Sequence, residues 1–377
     1  MLTFSRWNHL KHARNHLPDV EIEERDFSKV MLNRKWILTG IIVVISSGTF
    51  AFVYYESSKP PLQKTADSFY STSYGVTEFK FPDKNAVPLF PIYDSGHNAI
   101  WVGDAKDNSG RIWEFDIGSK KFIEHKLSGT NLISKISLSP DGTLWYIDPA
   151  TKLLGNYSPS NNTNKLIKVP IDGALADLAA GQKSVWIIVS DLDKILRYDI
   201  QSKNFTAFSV PTAHGSPIAI TTDKSSGHIW IVEAIGKILR LDPTSFKMIE
   251  YSPQDNVTLK LPVAIKDDTA TGNIYISEHG EDAVFEFFPN SGTFKRLPLY
   301  PDPDALPFGM AFDSRGNLFV AEHTINKIAV LDPRTGESAE VDIPSANPLI
   351  QWLTSDAGGN IWFAEPGGAA LGVINER

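Results

Sequence analysis

Residues 306–333 read LPFGMAFDSRGNLFVAEHTINKIAVLDP. An apolar run, LFVAE, is followed after a short polar turn by a second, KIAVL, and neither has helical spacing. Short alternating runs bounded by turn signals such as DSRG specify strands. The phrase is a repeat. Its core is an apolar residue, an aromatic, two small or apolar residues and an acid. It recurs as IWVGD (100–104), LWYID (144–148), IWIVE (229–233), IYISE (274–278), LFVAE (318–322) and IWFAE (361–365). A seventh copy, VWIIV (185–189), lacks the acid. A second apolar run follows each copy, and usually a more polar third run, as in KILRYDI and KNFTAFSVP.

Seven units between residues 76 and 377 give a period of about 43 residues. A period of roughly 40–50 residues built only of strands predicts a seven-bladed, all-β propeller. The aromatics Trp101, Trp145, Trp186, Trp230, Tyr275, Phe319 and Trp362 hold one place in every unit and are predicted to fill the gaps between blades. The last unit stops at Arg377 after three strands, while VTEFKFP (76–82) is an orphan strand at the domain's start. It is expected to complete the last blade and cover its open edge.

Ahead of the propeller the sequence changes character. WILTGIIVVISSGTFAFVYY (36–55) is 20 residues without a charge, with Trp36 and Tyr54–Tyr55 at its ends. As a helix it would span about 30 Å, a bilayer core. Arg34 and Lys35 before it put the N-terminus in the cytoplasm and the rest outside, by the positive-inside rule. A cleaved signal peptide is the alternative, but an h-region typically has only ~7–15 residues. Residues 1–35 are then a cytoplasmic arm, 36–55 a single-pass anchor, and 56–75 a Ser/Thr/Pro-containing extracytoplasmic linker. His9, His12 and His16 in the arm have no interleaved acid and are not assigned a metal.

The composition narrows the function. The net charge is −8, and residues 1–55 carry seven Lys/Arg against five Asp/Glu, which leaves −10 for the remainder. An acidic body does not fit nucleic acid as a partner. With no cysteine, thiolate catalysis and cysteine-based metal sites are excluded. Four N-x-S/T triplets, at Asn156, Asn161, Asn204 and Asn256, are compatible with an external domain.

The turn-rich opening of each unit, as in LPFGMAFDSRGNLFVAEHTINKIAVLDP, resembles the virginiamycin B lyase (streptogramin lyase) family among NHL-like propellers. The resemblance covers about residues 76–377 and is strongest in 216–375. It implies elimination chemistry on a cyclic depsipeptide, with a histidine base after a proline and magnesium held by acids. The matching positions here hold Leu89, Ser134, Leu175, Ile218, Val263, Phe308 and Gln351, and none is histidine. The base of the family's mechanism is therefore missing.

Two sets of side chains remain candidates. Asp104, Asp148, Glu233, Glu278, Glu322 and Glu365 end the second strands and should rim one end of the channel, the top. Their oxygens suit Mg or Ca. The alternative is that each acid accepts backbone N–H bonds in its own loop as part of blade construction. Asp107, Asp191, Asp193, Glu281 and Asp282 lie in nearby loops. His279 and His323 follow the acids in blades 5 and 6 and are candidate catalytic bases. His214 should share their face, whereas His97 and His228 fall in turns at the opposite end. The expected function is recognition of a small-molecule or protein ligand at the top face. A metal-dependent carbon–oxygen lyase and a structural subunit of a surface complex are the alternatives.

Overall fold

The computed structural model describes residues 22–23, 40–46, 49–55, 74–254, 257–299 and 305–376. From residue 74 onward it forms seven four-stranded antiparallel sheets. Blade 6 is typical: Pro307–Phe312, Leu318–Glu322, Lys327–Leu331 and Ser338–Asp342 pair in sequence order. The first strands of successive blades touch around the whole circle, and that of blade 7 meets that of blade 1. The ring is closed.

Closure uses both parts of the chain. Blade 7 takes Leu353–Ser355, Ile361–Glu365 and Ala370–Glu376 from the C-terminal end, and its outer strand is Tyr74–Lys80. Tyr74 pairs with Glu376 and Lys80 with Ala370.

The core is divided as a ring requires. Seven buried apolar clusters each join two neighbouring blades. The aromatic of each repeat phrase belongs to the cluster shared with the following blade, and all seven are at most 4% exposed. Trp230 of blade 4, for example, meets Phe287 of blade 5 edge-on at 5.6 Å. No blade buries both faces alone, so these contacts hold the ring together.

The turns joining first to second strands explain the polar spacing. In DSRGN, Asp313 accepts from the Arg315 and Asn317 backbone N–H groups, and in DAGGN, Asp356 accepts from Gly358 and Asn360. Gly316 and Gly359 both have φ of +83°, which a side chain disfavours.

Before the propeller, Gly40–Ser46 and Thr49–Tyr55 pair as antiparallel strands, with Ile22–Glu23 against the latter. This differs from the helix expected over 36–55. The segment is rich in Ile, Val and aromatic residues, which suit strands as well as an apolar helix. Among the described residues no helix is long and apolar enough to cross a membrane. The rest of the arm and residues 56–73 lie outside the described residues.

Candidate functional site at the top of the channel

The strand-ending acids occupy one place in each blade but are not exposed. Asp104, Asp148, Glu233, Glu278 and Glu365 are 0% accessible and Glu322 is 1%. Their surroundings differ. Asp104 accepts from the backbone N–H groups of Val87 and Lys106, from Arg111 Nε at 2.6 Å and from Trp113 Nε1. Asp148 accepts from the backbone of Asn131, Ala150 and Thr151. Glu278 accepts from the Leu261 N–H. Each of these three ties its strand end to the connection that enters the same blade.

A basic residue opening the third strand adds a second structural use. Arg111 links Asp104 to Glu124 on the outer strand, at 2.6 and 3.2 Å. Lys237 binds Glu250 at 3.3 Å, and Lys327 binds Glu340, each on a blade that ends its second strand with a buried glutamate. Acid, base and acid thus alternate outward along the top of blades 1, 4 and 6. Glu233 differs from Asp104, Asp148 and Glu278, since neither of its carboxylate oxygens has a hydrogen-bond partner. Burial, then the Glu250 charge, pushes it up to about 7. Glu365 is likewise pushed up to about 7, first by burial, with Ser345, Glu78 and Lys80 beside it. Among the described residues no three His, Asp or Glu side chains are arranged to hold a metal ion. The acids stand singly at the strand ends of six of the seven blades.

His279 and His323 are brought together. They flank Phe308, with ring centroids 5.5 and 5.9 Å from it, and both are only 4% exposed. The Nδ1 of His323 lies 3.3 Å from the Ile350 carbonyl. Burial, then the His323 charge, pushes His279 down to about 3, so its imidazole is neutral at physiological pH. A neutral imidazole can accept a proton, but burial keeps both rings from solvent.

Phe308 also meets Trp352 edge-on at 5.1 Å, and Trp352 meets Phe90 at 4.6 Å. The Lys135 ammonium lies over both of these rings, 3.4 Å from the centroid of Trp352 and 4.1 Å from that of Phe90. On its other side it pairs with Asp177 at 3.4 Å. Asp177 in turn accepts from the Ile220 N–H of blade 4. Burial outweighs the Asp177 attraction and pushes Lys135 down to about 8. The same burial raises Asp177.

Register explains the convergence. Lys135 pairs with Ile147, Asp177 with Ile188, Ala219 with Val232 and Ala264 with Ser277, the residue before the strand end in each case. In blade 1 Leu89 pairs with Gly103 and Phe90 follows it in the bulge, while on blades 6 and 7 Gly309 and Trp352 directly precede the pairs Met310–Val320 and Leu353–Phe363. Four large side chains on adjoining blades therefore meet three small ones. Gly309 is required by this packing, since a Cβ would lie 2.8 Å from Trp352 Cα and 2.4 Å from the Gln351 carbonyl oxygen. Phe90, Lys135, Asp177 and Trp352 were not among the residues that the repeat phrase singles out. The usable signal was a lysine and an aspartate at matching places in two apolar first strands.

In blades 4 and 5 the position implied for the lyase base lies in a bulge one residue earlier, whereas in blade 1 Leu89 is paired with Gly103. Pro262 pairs with Glu278 and Ala264 with Ser277, which leaves Val263 unpaired, and Ile218 is left out likewise. In blade 3 the bulged residue is Ala176, because Leu175 pairs with Val189; the assignment of Leu175 is corrected accordingly. Neither residue is a base.

No protein-family profile and no curated protein matches the chain. Solved structures do. A streptogramin B lyase superposes with a TM-score of 0.73 at 18% identity, covering 82% of this chain and 100% of the other. The chain has the fold of the streptogramin B lyases. Virginiamycin B lyase from Staphylococcus aureus gives 0.72 at 19% identity, over 80% of this chain and 99% of the other. The extracellular domain of a hybrid two-component system from B. thetaiotaomicron gives 0.62 at 18% identity, over 78% of this chain and 39% of the other. At such identities the likeness concerns fold alone.

Proposed function

We propose that the chain is a recognition propeller, held outside the cell by residues 36–55, which binds a ligand or protein partner through its top face. The observation that carries this reading is Phe308. An apolar ring stands where the lyase resemblance calls for a base, and it packs between the two histidines that would otherwise replace that base. With Trp352, Phe90 and the Lys135–Asp177 pair beside it, the channel top is built as packing. What remains for function is the exposed rim of loops around it. An anchor suits a recognition domain, and in a bilayer residues 36–55 would have to be helical to satisfy their own backbone.

The test places a photoreactive amino acid at Asp107 or Asp191 on the top rim, and at Ser225 or Ser314 on the opposite rim, in native membranes. A discrete adduct from the top positions alone is expected. Adducts from the opposite rim alone would overturn the reading. Extraction with alkaline carbonate should leave the chain in the membrane pellet, and release after deletion of residues 36–55 checks the anchor.

A further inference from the structure

The described propeller exposes five large apolar side chains: Ile123, Leu192, Ile235, Phe246 and Leu261. Three of them, Leu192, Ile235 and Leu261, stand on the top loops of consecutive blades 3, 4 and 5, at 38, 46 and 37% exposure. Single exposed apolar residues are ordinary on a protein surface; a run of them on one continuous rim is less so.

The rim is continuous because its loops bond to one another. In blade 3, Ser190 N–H donates to the Ala174 carbonyl at 3.0 Å. Asp193 accepts from the His214 and Ser216 N–H groups of the next connection, both at 2.8 Å. Ala234 N–H then donates to the Ser216 carbonyl at 2.9 Å, and His279 N–H to the Leu261 carbonyl at 3.0 Å. Between these, Gly236 lies so close to Leu259 that a Cβ would come within 2.1 Å of its carbonyl oxygen. The loops are fixed before any partner arrives, which lowers the entropy cost of binding. Toward the channel, Ile218 and Val263 remain partly exposed and extend the apolar strip inward.

The charge on these loops is predominantly negative. Residues 171–173, 190–193, 212–216, 234–236, 257–261 and 279–282 contain five acids, Asp172, Asp191, Asp193, Glu281 and Asp282, against one lysine, Lys260. Lys260 is already paired with Glu281. An apolar strip edged by acids complements aliphatic side chains interleaved with cations, and it repels an anionic membrane surface.

We propose that the top rim of blades 3–5 is a docking site for a cationic, aliphatic segment of a partner protein, a proposal that rests on the recognition reading above and specifies its partner. The probe is a hexapeptide of alternating leucine and lysine with an N-terminal benzophenone, photo-crosslinked to the full chain in maltoside detergent and mapped by mass spectrometry. Adducts are expected in residues 190–193, 234–236 and 257–261. Their yield should fall at least fivefold in the Leu192→Ser, Ile235→Ser, Leu261→Ser variant, and when the peptide's leucines are replaced by serine. Ile123→Ser should leave the yield unchanged. Circular dichroism checks that the triple variant remains folded; the serine-substituted peptide tests the wild-type chain if it does not. Adducts on the top loops of blades 1, 2, 6 or 7 would overturn this site and leave the recognition reading standing. Adducts confined to the opposite rim would overturn both. Equal labelling by the serine peptide would reduce the effect to charge alone and also overturn the proposal.

Discussion

At Phe308 one side chain decides between two chemistries. A histidine there would face the channel beside two others; the phenylalanine instead fills the space between His279 and His323. Lys135 extends the same logic. Its charge is buried, is compensated by Asp177, and rests on two aromatic faces. Lys135→Met would strand the Asp177 carboxylate, and breaking a buried pair in this way costs about 3–5 kcal/mol. Denaturant melts should register that loss, and Asp177→Leu added to Lys135→Met should restore much of it. Full additivity of the two losses would contradict a coupled pair. The sequence left this cluster hidden because its members are more than 40 residues apart and meet only through the register of inner strands. His279 and His323 were legible as neighbours in adjacent repeats, but not their packing against Phe308, which stands on another strand.

At the scale of the strand end, three of the repeated acids, Asp104, Asp148 and Glu278, belong to blade construction. Asp104 and Asp148 are satisfied by backbone donors of the following loop and of the connection entering the blade, and the base that opens the third strand accounts for more of the pattern. The acids themselves were plain in the repeat phrase. Their partners were not, because Arg111, Lys237 and Lys327 appear in sequence as ordinary strand-opening residues. Glu233 gives this a measurable sign. Its folded-state value, about 7, lies above the ordinary glutamate value of about 4.5. The folded protein therefore binds the extra proton between those values, and stability contributed by it is full below about 4.5 and lost as pH rises through about 7. Glu233→Gln should stabilise the fold at pH 8, by an amount on the order of a few kcal/mol, and change little at pH 4. Thermal melts across that range check it; equal shifts at both values would show that the carboxyl is not the cause.

The whole ring was the most legible part of the molecule, because a fold made of seven copies states its period in the sequence. The repeat aromatics fall one to each blade interface, and Trp230→Ala should cost about 3–5 kcal/mol in a denaturant melt by opening the contact between blades 4 and 5. Closure depends on Tyr74–Lys80 from the other end of the chain. Deleting that strand should expose the edge of Ala370–Glu376, broaden the thermal transition and give aggregates on size-exclusion chromatography. A sharp monomeric transition after the deletion would mean that the ring holds without it. The top rim was not legible, since Leu192, Ile235 and Leu261 lie in unrelated loops until the ring aligns them.

A fold shared with streptogramin B lyases leaves one question above the rest: does this propeller open a ring or bind a partner? The direct measurement is incubation of the chain with a streptogramin B depsipeptide and magnesium, followed by chromatography with fragmentation spectra, because elimination leaves the mass unchanged. The recognition account predicts that the cyclic compound persists for the full incubation. A linear product that disappears in the His323→Ala variant would contradict it.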